Sequence, residues 1–261
     1  MHIAMTGAAT GIGKEVATKL KSAGHTVDAF DINEPQSEVD RWIKTDMSDS
    51  ASILEAVATA VGPYDALINN AGLPPRDGLQ EKILRVNFFG ARAFLYGMVQ
   101  KLSDGASVVN TASRAGAHWR DNLAQVTALL ATNENELAAF IDSHHIDATR
   151  AYNLSKEALI VMTMADTEQM IARGLRINSV SPAAVSTGIL DDFYKAFGDR
   201  VVKNVARAGR PGEPHEIAEV IVFLASPQSA WIKGQDLVID GGMSAMAISD
   251  ALALQATDAG G

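Results

Sequence analysis

Short runs of β-branched and aliphatic residues recur along the chain at His2–Met5, Thr26–Phe30, Ala66–Asn69, Ser107–Asn110, Ile177–Val180 and Leu237–Ile239. Between most of them apolar residues return at helical spacing. In the first interval Ile12, Val16, Leu20 and Ala23 fall on one helical face, and Gly24 stands where a left-handed C-cap would close the helix. Strands alternating with amphipathic helices predict an α/β fold, a single doubly wound, Rossmann-type parallel sheet flanked by helices. Ligands of such a sheet bind outside the carboxyl ends of the strands, so functional residues are expected just after strands.

Composition narrows the function. A chain of 261 residues, 47% hydrophobic, can bury a substantial core. A formal net charge of −9 argues against nucleic acid or an anionic membrane as the partner, since either needs a basic face. The absence of cysteine excludes disulfides, zinc-thiolate sites and thiol nucleophiles. The first strand begins at His2 and leaves no room for a targeting segment, so a cytoplasmic chain is expected. The longest apolar run, Val220–Ala225, is far short of the roughly 20 residues that span a bilayer.

Directly after the first run comes Thr6-Gly7-Ala8-Ala9-Thr10-Gly11-Ile12-Gly13, a glycine-dense turn opening into the first helix. Glycine lets the backbone approach a pyrophosphate, and unpaired N–H groups with the helix dipole favour its charge. Gly7, Thr10, Gly11, Ile12 and Gly13 are therefore candidates for a dinucleotide phosphate site, although G-x3-G-x-G differs from the G-x-G-x-x-G fingerprint. Asp31 lies 18 residues beyond Gly13, at the end of the second strand, where a carboxylate accepts the ribose hydroxyls. It would face a 2′-phosphate with like charge, and two unit charges about 4 Å apart repel by roughly 4 kcal/mol at an effective dielectric of 20. Ile32, Asn33 and Glu34 supply no compensating cation, nor do Ala8, Ala9 and Thr10, so the expected cofactor is NAD(H) rather than NADP(H). Asp46, followed by Met47, either accepts a hydrogen bond from the adenine amino group or caps the next helix.

Ser113 follows a strand, at a carboxyl end of the sheet. Tyr152 and Lys156, four residues apart, share a face if their segment is helical, and Leu154, Ala158, Val161, Met162 and Ala165 supply its apolar stripe. Tyrosine titrates at about 10 and is a poor base near neutrality unless its anion is stabilised, as a nearby ammonium would do. Tyr152 could then take the proton of an alcohol as hydride leaves for a nicotinamide, or return it to a carbonyl oxygen. Ser113 would hydrogen-bond that same oxygen.

With Asn69-Asn70-Ala71-Gly72, Asn87, Pro182 to Thr187 and Asp240-Gly241-Gly242 falling in order around these motifs, nearly the whole chain resembles the short-chain dehydrogenase/reductase family. The resemblance implies an NAD-dependent alcohol dehydrogenase/carbonyl reductase with a Ser113–Tyr152–Lys156 centre. It also implies that Asn87 joins a water-mediated proton relay and that Lys156 binds the nicotinamide ribose. Ile12, Asn70, Ala71 and Gly72 would line the cofactor groove, and Pro182, Val185 and Thr187 would stand at the nicotinamide carboxamide. The chain departs from the family at Pro182-Ala183, where Pro-Gly is usual, so this loop is expected to sit slightly differently.

Ser113 and Tyr152 stand 39 residues apart, longer than in most of the family. Residues 118–147 are therefore read as a helical insertion in a single domain, 1–261. Asp121–Ala131 and Asn133–Asp142 are its short helices, the second opening on Asn133-x-x-Glu136. Such an insertion is similar to that of bacterial 3α-hydroxysteroid dehydrogenase/carbonyl reductases, as are Asn87-Phe88-Phe89-Gly90 and Ala117-His118. It reads as a lid or an interface element. In many relatives the helices near Asn87 and Tyr152 form a dimer contact, so a homodimer or homotetramer is expected.

Leu73-Pro74-Pro75, 114–119 and 188–197, with Phe193 and Tyr194, would wall the substrate with mostly apolar side chains. They suit a hydrophobic or cyclic secondary alcohol or ketone, such as a hydroxysteroid-like one. His144-His145 has no acidic cluster around it and reads as a solvated loop, so no metal is expected. The Ala-rich tail, 243–261, reads as either a frayed end or a helix packed on a partner subunit. Two rival classes remain. A non-catalytic NAD-binding regulator would be expected to lack one of Ser113, Tyr152 and Lys156. An epimerase or dehydratase using the same centre usually carries a larger second lobe.

Overall fold

The computed structural model describes residues 1–253, and among them seven strands form one parallel sheet in the order β3-β2-β1-β4-β5-β6-β7. These are β1 (His2–Thr6), β2 (Thr26–Asp31), β3 (Arg41–Lys44), β4 (Tyr64–Asn69), β5 (Leu102–Thr111), β6 (Arg176–Pro182) and β7 (Asp236–Ile239). The helices are α1 (Gly11–Ser22), α2 (Ser50–Thr59), α3 (Gln80–Leu84), α4 (Ala91–Met98), α5 (Leu123–Ala131), α6 (Leu137–Ser143), α7 (Ala148–Ala165), α8 (Thr167–Ala172), α9 (Leu190–Phe197), α10 (Asp199–Ala208), α11 (Pro214–Ala225) and α12 (Met243–Ala251).

The two-residue period of a strand feeds two cores at once. Ile3 and Met5 of β1 pack with Val16 and Leu20 of α1 and Ile221 of α11, whereas Ala4 joins Phe94 of α4 and Leu154 of α7 on the other face. Buried on both sides, the strands read as continuous apolar runs, which is why six were visible in the sequence. The seventh, β3, was not: Arg41-Trp42-Ile43-Lys44 alternates half-buried and exposed positions at the sheet's edge. Gly24 takes the left-handed conformation expected after α1, with φ +76°, although Ala23 is exposed rather than part of the buried stripe.

Strand order reverses between β1 and β4, opening the crevice in which ligands of this architecture bind. Its floor is tied across the two strands, the Thr6 hydroxyl accepting from the N–H groups of Asn70 at 3.0 Å and Ala71 at 3.1 Å.

Residues 118–147 hold α5, a 3₁₀ turn at Glu134–Glu136 and α6. The Asn133 N–H donates to Glu136 at 3.3 Å, closing the start expected there. The segment clasps the body through ion pairs and hydrogen bonds. Glu134 takes both Arg85 and the Ser50 hydroxyl. Arg150 of α7 donates to Gln125 of α5 and to both oxygens of the Glu157 carboxylate, at 3.0 and 2.6 Å. Asn122 donates to Glu157 at 2.7 Å. In the tail, α12 is held by Arg207–Asp250, and residues 254–261 lie outside the described residues.

Glu157 is 1% exposed, so removing its cation leaves a buried carboxylate with one neutral partner. Arg150→Met should cost about 3 kcal/mol, at the low side of buried-pair breakage because Arg150 keeps some contact with water. Urea denaturation of the variant checks this, and an unchanged midpoint would refute it.

Candidate active site

The carboxyl ends of β1, β4, β5 and β6 converge on one crevice. Gly7 follows β1 with φ +70°, and a Cβ there would lie 2.7 Å from the Ala71 backbone. A Cβ on Gly13 would stand 1.8 Å from the Gly7 carbonyl oxygen. The Asn70 side chain donates to that carbonyl at 2.9 Å and accepts from the Thr111 hydroxyl. Only glycine permits this approach. Thr10 precedes α1 without using its side chain as a cap, leaving the first-turn N–H groups of Gly11, Ile12 and Gly13 directed at the crevice. A Cβ on Gly11 would meet the Thr187 methyl group at 3.4 Å, so the loop after β6 closes over the glycine turn.

Asp31 ends β2 buried, its two oxygens accepting from the N–H groups of Ala9 and Asn33, each at 2.9 Å. Trp42 of β3 donates its indole N–H to the Asp31 carbonyl at 3.0 Å. Asp46 accepts from the N–H and the hydroxyl of Ser48; partial burial raises its pKa, but these bonds leave it lowered overall. The cap of α2 is Asp49, not Asp46. Met47 is buried, and its carbonyl oxygen lies where a Cβ on Gly90 would be, 2.1 Å away.

Tyr152 and Lys156 lie on the buried face of α7, and the Lys156 nitrogen stands 5.8 Å from the centre of the Tyr152 ring. That ammonium donates to the Thr111 carbonyl at the end of β5, at 2.8 Å. Ser113 opens a 3₁₀ turn; its oxygen accepts from the Ala115 N–H at 3.2 Å, donates to the Pro182 carbonyl at 3.4 Å and lies near enough to the Tyr152 phenol to lower its pKa against burial. Asn87 sits within a π-helical turn, Arg85–Gly90, of the kind often found at functional sites. Its amide grips both backbone groups of Leu73, at 2.7 and 3.0 Å. A Cβ on Gly72 would lie 3.4 Å from the Asn87 oxygen and 3.5 Å from the Lys156 nitrogen, so both side chains meet at Gly72.

Residues 1–128 match the family model described as short chain dehydrogenase, and residues 136–244 match that described as enoyl-(acyl carrier protein) reductase. The chain is 30% identical to coniferyl-alcohol dehydrogenase of Pseudomonas sp. (strain HR199 / DSM 7063), over 93% of its length and 96% of the relative's. It is 31% identical to the 3-alpha-hydroxysteroid dehydrogenase/carbonyl reductase of Comamonas testosteroni, over 94% and 96%. The chain belongs to the short-chain dehydrogenase family. Its fold is likewise similar to the crystal structure of 3-alpha-hydroxysteroid dehydrogenase from Pseudomonas sp. B-0831 complexed with NADH. The TM-score is 0.84 at 31% identity, covering 95% of this chain and 98% of that one.

A short-chain dehydrogenase is an oxidoreductase that works with a nicotinamide cofactor. The crevice fits such a group: glycines leave space against the backbone, α1 presents unpaired donors, and Asp31 stands buried beyond them. Val185 is buried in the loop after β6, bridged to Gly212. Ala183, where the family usually has glycine, keeps an ordinary φ and donates to Ile239 at 3.1 Å, extending the β6–β7 ladder. Among the described residues no three His, Asp or Glu side chains gather as metal ligands would, and no helix is long and apolar enough to cross a membrane.

Sequence reasoning missed the Thr111 carbonyl, which only the folded sheet places under Lys156. It also missed the tie from Arg114, beside Ser113, to Asp240 and Ser244 after β7, at 3.3 and 3.0 Å. Of the proposed walls, Phe193 lies edge-on to Tyr152 at 5.2 Å and Phe197 stacks beyond it. Leu73 and Trp119 pack on the same core.

Burial dominates the titration. It pushes the Tyr152 phenol up to about 12, against the opposing pull of the Ser113 hydrogen bond, and it pulls the Lys156 ammonium down to about 8. Tyr152 is therefore held protonated at neutral pH, and desolvation outweighs the stabilisation of tyrosinate expected from Lys156 alone.

A lysine titrating near 8 when folded and 10.5 when unfolded penalises the folded state below pH 8 and releases that penalty as pH rises toward 10.5. Between pH 7 and 9.5 the wild-type protein should gain about 2 kcal/mol of stability relative to Lys156→Met. Denaturation curves at both pH values test this; parallel pH dependence in the two proteins would overturn it.

Proposed function

We propose that this short-chain dehydrogenase interconverts a secondary alcohol and a ketone with NAD(H), on a hydrophobic or cyclic substrate. The observation that carries the reading is the convergence of Ser113, Tyr152 and Lys156 at one crevice with Asn87 beside them. Two relatives named for coniferyl alcohol and for a 3-alpha-hydroxysteroid, and a related structure holding NADH, support it.

Bound at the crevice, the nicotinamide would accept hydride from the alcohol carbon or deliver it to the ketone. Asp31 would bind the adenosine ribose hydroxyls, with the first turn of α1 on the pyrophosphate. Asp46 and Met47 would border the adenine, while Pro182, Val185 and Thr187 would border the carboxamide. In reduction the Tyr152 phenol donates its proton to the substrate oxygen, and the neutral form favoured by burial is the form required. In oxidation Tyr152 must first lose that proton. Lys156 then stabilises the phenolate, and Asn87, at Gly72 beside Lys156, is placed to hold the water that carries the proton outward. Ser113 hydrogen-bonds the substrate oxygen as charge develops on it. Phe193, Phe197, Leu73 and Trp119 exclude water from this reaction and suit a flat apolar substrate. We also read the chain as a homodimer or homotetramer, supported by exposed apolar groups at Trp231 and at Val238 on the edge strand β7.

Tyr152→Phe should lower kcat by about 10³-fold, and Ser113→Ala by about 10²-fold, while both still bind NADH. Steady-state rates on a panel of cyclic and aromatic alcohols and ketones, beside NADH binding by fluorescence, measure this. Near wild-type turnover by the phenylalanine variant refutes the mechanism. Higher kcat/KM with NADP⁺ than with NAD⁺ refutes the cofactor assignment.

A further inference from the structure

The loop after Asp31 carries no cation, but β3 brings one from the side. Asp31 and Lys44 are partners in the β2–β3 register. Partners on adjacent parallel strands project from the same face, so Lys44 rises beside the Asp31 carboxylate. The reach of such a pair is visible three residues earlier on the opposite face. There the register partners Asp28 and Arg41 meet as an ion pair at 3.3 Å.

Lys44 makes no such contact. Asp31 spends its oxygens on the Ala9 and Asn33 N–H groups, and Lys44 is exposed, without an ion pair among the described residues. It lines an open groove with Ile32, Asn33, Trp42 and Asp46, at the carboxyl ends of β2 and β3. The Trp42 indole, fixed on the Asp31 carbonyl, holds β3 at this distance. Arg41, Asp46 and Glu55 are the other charged groups of this groove, and of its cations Lys44 is the register partner of Asp31.

We infer that Lys44 is a second determinant of dinucleotide choice, a cation that offsets the Asp31 carboxylate and narrows its discrimination against a 2′-phosphate. The inference rests on the placement of adenosine at Asp31 proposed above. Asp31 repels the phosphate and Lys44 attracts it; the preference for NAD(H) is the difference between the two. At that range a unit charge, screened at physiological salt, is worth about a tenfold change in affinity.

Isothermal titration of NAD⁺ and NADP⁺ against the wild type, Lys44→Met, Asp31→Asn and the double variant tests this without reference to turnover. The ratio of the NADP⁺ to the NAD⁺ Kd should rise about tenfold in Lys44→Met. It should fall in Asp31→Asn, and fall less when Lys44 is also replaced. Lys44→Arg should keep the wild-type ratio, and raising the salt should weaken NADP⁺ binding more in Asp31→Asn than in the double variant. An unchanged ratio in Lys44→Met, with the double variant equal to Asp31→Asn, overturns the role of Lys44 and leaves that of Asp31 standing. If Asp31→Asn itself leaves the ratio unchanged, adenosine does not lie at Asp31 and both readings fall.

Discussion

Lys156 carries a charge into a buried position at the edge of the crevice, and burial draws its pKa down to about 8. Three features of the fold make it tolerable. The Thr111 carbonyl at the end of β5 accepts from the ammonium, and the Tyr152 ring lies near it. Thr111 is itself held in register with Val180 of β6, so the acceptor cannot drift. The third is α7, anchored one residue further on by Glu157, whose carboxylate is gripped by Arg150 and Asn122. Two neighbouring residues thus bury opposite charges on different sides of α7, one toward the sheet and one toward the 118–147 segment. A helix so fixed cannot easily rotate, and rotation is what would carry Tyr152 away from Ser113.

Dryness has a second source in α9. None of its residues is fully buried, yet Phe193 and Phe197 cover Tyr152 and raise its pKa with the rest of the burial. Arg76 ties α9 to the loop after Pro75 through Asp192, at 2.8 Å. How firmly α9 lies down therefore sets both the access of a substrate and the readiness of Tyr152 to hold its proton.

The parts of the site that the sequence makes legible are those whose chemistry is local. A glycine turn before a helix, an acid at a strand end and a Tyr-x-x-x-Lys spacing each follow from backbone geometry over a few residues. What escapes are contacts made by the fold. The Thr111 carbonyl is anonymous in a sequence, and the π-helical turn at Asn87 has no spacing signature. Strand β3 is too short and too exposed for its alternation to stand out, and with it went Lys44, which lies 13 residues from Asp31 along the chain but beside it in the sheet. Even the capping reading of Asp46 could be set aside only by finding that Asp49 caps α2.

The same distinction divides cofactor recognition from substrate recognition. The groups proposed to face the dinucleotide stand on strand ends, fixed by ladder hydrogen bonds and by glycines that admit no Cβ, so their positions are determined by the sheet. The groups proposed to face the substrate stand on α9 and on the turns after Ser113 and Gly72, held by single ion pairs and half-buried rings. Such elements exchange side chains at little cost to the core, because few of their atoms belong to it. Substrate range can therefore change while Tyr152, Lys156 and the crevice stay in place, and a change at Asp31 or Lys44 need not disturb the walls around Tyr152.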